Sequence, residues 1–145
     1  MTPKPFDAYR WATNLCARGE HSAAEIAEKA RRKGASAAEA EKLVERLTDE
    51  GYVSDERFCR AFVHDKLQFD GWGRLKIRAA LMQHRIPTDI VSQTMDELID
   101  EEDYMQLLRT TIERKARTTD DTQKIARHAA SRGFEPHLIL KLLNP

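Results

Sequence analysis

Residues 52–86 read YVSDERFCRAFVHDKLQFDGWGRLKIRAALMQHRI, two helical patterns parted by a Gly-Trp-Gly break. Ser54 is placed to cap the first helix, and Asp55 and Glu56 put negative charge beside its unpaired N–H groups. Phe58, Phe62 and Val63, with Cys59 and Leu67, recur at helical spacing and make one apolar face. Gly71-Trp72-Gly73 ends that pattern. A second helix is predicted from about Arg74 to His84, with Ile77 and Leu81 turned inward. It carries Arg74, Lys76 and Arg78, then Arg85 at its end, and no acid.

The flanking segments repeat this unit. With Ser22, Gly73 and Asp121 in register, SAAEIAEKARRKGA, GRLKIRAALMQHRI and DTQKIARHAASRGF align without a gap. Ile26, Ile77 and Ile125 coincide, as do Ala30, Leu81 and Ala129 four residues on, which places both sets on one helical face. Gly34, Arg85 and Gly133 share the turn position, where glycine suits a left-handed residue. Arg85 departs from that, so its turn is expected to close differently. Ala35, Ile86 and Phe134 follow as apolar plugs. The register runs on: Leu43 and Val44 match Leu142 and Leu143, and Leu47 matches Leu98. The first helices, about 6–17, 55–68 and 103–115, align more loosely. The chain therefore reads as one all-α domain over residues 1–145, an elongated, curved array of three tandem three-helix repeats. Their expected bounds are about 5–51, 54–101 and 102–145. Each unit is too small to bury a core comfortably alone, and stacking completes it.

Composition narrows the function. Lysine plus arginine equals aspartate plus glutamate at 24 each, so no global basicity points to nucleic acid. No apolar run approaches the roughly 18 residues of a membrane span. MTPKPFDAYRW lacks the apolar centre of a signal peptide, so a cytoplasmic protein is expected. It is expected to be a monomer. Cys16 and Cys59 match no metal-ligand or CxxC spacing and read as reduced, partly buried thiols. His64, His84 and His128 belong to no metal or triad pattern and read as surface or rim residues. There is no phosphate-cradling GxxxxGK[ST] loop. Trp72 reads as an indole wedged between helices. No residue set supports catalysis, and no cofactor or metal is called for.

Charge sorts by position within the repeat. A helix-turn-helix would present its third helix to phosphates, yet residues 37–50 carry a net charge of −3 and residues 88–102 a net charge of −6. The third of these helices, in PHLILKLLNP, is mostly apolar. The middle helices are the reverse, at +2 for 22–33, +4 for 74–85 and +2 for 121–132. At 100° per residue Arg74, Arg78 and Arg85 fall within about 40° of each other. Packing is expected to set these cationic rods side by side, making a basic strip of Arg74, Lys76, Arg78 and Arg85 with Arg31, Arg32, Lys124, Arg127 and Arg132.

Tyr52, Asp55, Arg57 and Phe58, then Gly71-Trp72-Gly73, then Lys76-Ile77, resemble the signature of the RecX family, regulators of the RecA recombinase. Cys59 stands in the family's alanine place and Arg85 in its glycine place. Arg18-Gly19, Lys33-Gly34 and Arg132-Gly133-Phe134 extend the resemblance over nearly the whole chain. It implies three tandem three-helix repeats and a non-catalytic activity. That activity is binding the RecA–single-stranded DNA filament in its groove, which lowers recombinase, ATPase and co-protease functions in recombination, repair and the SOS response. Two other readings stand beside it: a nucleic-acid-binding helical repeat acting on single- or double-stranded DNA without RecA, and a scaffold for another protein using the acidic third helices.

Overall fold

The computed structural model describes residues 5–144. Among the described residues there are nine helices and no strand: α1 Ala8–Arg18, α2 Ala23–Arg32, α3 Ala37–Asp49, α4 Asp55–Gln68, α5 Arg74–Gln83, α6 Thr88–Leu98, α7 Glu101–Ala116, α8 Thr122–Ser131 and α9 Pro136–Leu143. Side-chain caps set most of the starts. The Ser22 hydroxyl accepts from Glu25 N–H, Ser54 from Arg57 N–H and Asp121 from Lys124 N–H, while Ser36 and Glu39 form a reciprocal capping box. Pro136 opens α9, where its missing N–H leaves nothing unpaired.

The turn after each middle helix closes in one way three times. Ala35 N–H donates to Ala30 C=O at 3.0 Å, Ile86 to Leu81 at 3.1 Å, and Phe134 to Ala129 at 3.3 Å. Gly34 and Gly133 reach φ of 111° and 99° to do so, and Arg85 follows them at φ 57°. The expectation of a different closure at Arg85 is therefore corrected. The Ile86-to-Leu81 backbone bond and the burial of Ile86 hold the Arg85 backbone in a region that costs a non-glycine residue about 1 kcal/mol.

Each unit has its own core. Ala12, Ile26, Ala30, Leu43 and Leu47 pack in the first. Phe58, Cys59, Val63, Ile77, Leu81 and Met95 pack in the second. Tyr104, Leu108, Ala129, Phe134 and Ile139 pack in the third. Leu67 and Ile99 belong to the edges of both the second and the third cores, whereas among the described residues the first core shares none with the second. The accessible surface is 9493 Å², against about 7,600 Å² for a compact protein of this mass, as an open array requires. No helix among the described residues is long and apolar enough to cross a membrane.

Candidate functional site

Helices α2, α5 and α8, which carry the sequence-predicted cations, do not pack along their lengths; α8 and α2 touch α5 near its two ends. At one end, the start of α5 lies on the turn after α8. Gly73 N–H donates to Arg132 C=O at 2.8 Å and Leu75 N–H to Gly133 C=O at 3.0 Å. A Cβ on Gly73 would sit 2.4 Å from the carbonyl carbon of Gly133, so the Gly-Trp-Gly break exists to admit this crossing of backbones. At the other end, His84 and Arg85 reach Glu25 and Glu28 of α2. The side-by-side strip is corrected to a line running α8, α5, α2.

The cations divide by what holds them. Arg74 is committed inside the chain: its Nε lies 2.8 Å from Glu135, its Nη1 lies 3.0 Å from Glu101, and its guanidinium carbon stacks 3.9 Å from the Tyr104 ring centroid. Burial opposes its charge, but the two carboxylates outweigh that and hold it above its ordinary value. The Tyr104 hydroxyl accepts from Arg74 N–H at 2.9 Å and donates to Glu135. Burial and that bond push its phenol up. Arg85 pairs with Glu28, which Arg32 also reaches at 2.5 Å. Since α5 ends at Gln83, helical angles do not extend to Arg85. Arg132 donates to the Asp70 carbonyl. Lys76 holds its ammonium 4.5 Å from the Trp72 ring centroid, and Arg78 donates to Ser92 Oγ at 3.3 Å. Arg31, Lys124 and Arg127 are exposed and, among the described residues, make no ion pair.

Two further contacts escaped sequence reasoning. Asp55 does more than charge its own helix: Oδ1 accepts from Ala23 N–H at 3.0 Å, capping α2 across the unit boundary. Arg57 crosses the same boundary to Glu20 at 2.5 Å. Neither leaves a local signal, because the partners lie 32 and 37 residues away. A groove of about 730 Å³ between the second and third units is lined by Phe69, Asp100 and Asp103 on one hand and by Arg114, His128 and Arg132 on the other. Its mixed signs single out no ligand class.

The family comparisons agree with this architecture. The family model described as RecX, first three-helix domain, matches residues 8–47, and that described as RecX, second three-helix domain, matches residues 54–95. The chain belongs to the RecX family. A protein named regulatory protein RecX from Xanthomonas axonopodis pv. citri is 34% identical over 133 residues, covering 88% of this chain and 80% of the relative. The RecX protein of Ectopseudomonas mendocina is 32% identical over 149 residues, covering 99% and 97%. The crystal structure of RecX from Lactobacillus salivarius superposes with a TM-score of 0.85 at 18% identity, covering 94% of this chain and 92% of that one. At that identity it speaks for the fold, and it extends the RecX architecture through α7–α9. RecX proteins are regulatory proteins by name.

Proposed function

We propose that this chain binds the RecA–single-stranded DNA filament along its groove and lowers RecA's recombinase, ATPase and co-protease activities. Membership of the RecX family is the observation that carries this reading. The linear order α8–α5–α2 supports it, because a row of short helices spaced along an open array can touch successive protomers, and weak contacts then add through avidity. The contacts assigned are Arg31, Lys124 and Arg127, with Lys76 and Arg78. Arg32, Arg85 and Arg132 take part through the atoms their internal partners leave open, and Arg74 is set aside as a structural group.

The test is RecA's DNA-dependent ATP hydrolysis with and without the chain, alongside co-sedimentation with RecA filaments. Native protein should inhibit and co-sediment. The triple variant Arg31→Glu, Arg78→Glu, Arg127→Glu should lose both while keeping its helical circular dichroism. Undiminished inhibition by the triple variant would defeat the contact assignment. Retention on bare single-stranded DNA, weakening steeply with salt and indifferent to RecA, would favour direct nucleic-acid binding instead.

A further inference from the structure

Helix α5 is apolar on two opposite sides. Ile77 and Leu81 face the core of the second unit with no exposure. At 100° per residue Leu75, Ala79 and Met82 fall within about 60° of one another on the far side. Leu75 is 49% exposed and Met82 58%, and Ala79 is exposed between them. Single exposed apolar residues need no explanation, but a stripe at i, i+4 and i+7 does.

The repeat supplies an internal control. The positions equivalent to Leu75, Ala79 and Met82 are Ala24, Glu28 and Arg31 in α2, and Gln123, Arg127 and Ala130 in α8. Each sister helix carries a polar or charged residue at two of the three positions, so the fully apolar stripe on α5 answers no demand of the architecture. Lys76 borders it on one side and Arg78 on the other. Among the described residues neither is paired with a carboxylate, and both are held in place, by Trp72 and Ser92 respectively. Exposed Arg31 and Arg127 lie on the sister helices at either end. An apolar centre with a cationic border is the anatomy of a protein–protein contact.

We propose that the outward face of α5, formed by Leu75, Ala79 and Met82, docks an apolar, carboxylate-rimmed surface of a protein and not nucleic acid. This rests on the filament reading above and assigns the centre of the contact to the protein component of the filament. Aliphatic side chains gain nothing against phosphates, and base stacking asks for aromatic faces that the stripe lacks. A second copy of this chain is disfavoured by area: three side chains fall far short of the roughly 800 Å² per partner that a stable interface buries. The stripe suffices as an anchor within a longer, multiply attached contact.

The experiment compares native protein with the double variant Leu75→Gln, Met82→Gln, whose glutamines keep helix propensity and touch no core. Affinity is measured for RecA–single-stranded DNA filaments at two salt concentrations and for bare single-stranded DNA, with sedimentation equilibrium for self-association. Filament affinity should fall at least about tenfold, given the apolar area lost. The dependence of affinity on salt and any affinity for bare DNA should be unchanged. Ala79→Glu should weaken binding more than Ala79→Lys, because one meets the carboxylate rim with like charge and the other does not. Equal filament binding by native and double-variant protein would overturn the assignment while leaving the filament reading intact. Equal losses on filament and bare DNA would overturn it in favour of nucleic acid, and a native dimer abolished by the variant would overturn it in favour of self-association. Native protein that ignores filaments altogether would remove the functional reading and this assignment with it.

Discussion

Tyr104 shows how much of this molecule is decided by single polar atoms. It is 2% exposed, and its hydroxyl serves Arg74 N–H and Glu135 together. Tyr104→Phe keeps the ring under the Arg74 guanidinium but leaves a backbone donor and a carboxylate short of a partner, which should cost about 1–3 kcal/mol in denaturant unfolding. Nothing in the sequence near Arg74 announces this, since Glu101 and Glu135 lie 27 and 61 residues downstream. Arg74 therefore reads as a surface cation until the third unit is folded against it. Local roles were legible: Ser54 caps α4 as its position before Asp55-Glu56 predicts. His128 gives a second outcome at this scale. Burial, then the charges of Lys115 and Arg132, hold its imidazole below the ordinary value of 6.5. The unfolded chain then takes up the proton first as pH falls. Stability is complete above about pH 6.5 and declines below it until the folded imidazole also titrates. Urea unfolding between about pH 5 and 7 should show this slope, and His128→Gln should flatten it.

At the scale of elements, the repeat was readable because each middle helix needs the same inward isoleucine and the same turn. The apolar spacing that recovers α2, α5 and α8 is a local property, as is the capping that starts them. What the pattern could not show is how one unit seats on the next, because that depends on surfaces with no period. Gly73 is the instructive case. The Gly-Trp-Gly break reads as a helix stop, yet Gly73 is small because the Gly133 turn lies against it, and Gly133 in turn faces the Lys76 Cβ. Gly73→Ala must push backbone from backbone and strain two interunit hydrogen bonds. It should lower stability by about 3 kcal/mol, the upper range for overpacking. Gly19→Ala is the control: its extended backbone suits alanine and nothing lies within 4 Å, so its melting temperature should stay level or rise slightly. Equal melting temperatures for the two variants would contradict the glycine crossing.

Over the whole molecule the two junctions differ in kind. The second and third units share Leu67 and Ile99, exchange backbone hydrogen bonds and enclose the Arg74–Tyr104–Glu135 network. Among the described residues the first and second units share no core residue. Among the described residues they meet through the Asp55 cap, the ion pairs Arg57–Glu20 and Arg85–Glu28, and the His84–Glu25 hydrogen bond, with every one of these paired side chains at least 24% exposed. Exposed pairs contribute about 0–1 kcal/mol each and weaken as salt screens them, whereas apolar contacts and buried hydrogen bonds do not. The first junction should therefore loosen before the second. Raising sodium chloride to about 1 M, where the screening length is about 3 Å, should increase the radius of gyration in small-angle scattering while helical content holds. The triple variant Glu20→Gln, Glu25→Gln, Glu28→Gln should show the larger radius already at low salt, with amide exchange quickening at the α2 N-terminus and not at Gly73 or Leu75. The Gly73 and Leu75 amides bond across the other junction and report on it directly. Their loosening in step with α2 would mean that the three units move as one body, and the distinction between an ionic and an apolar junction would then have no mechanical consequence.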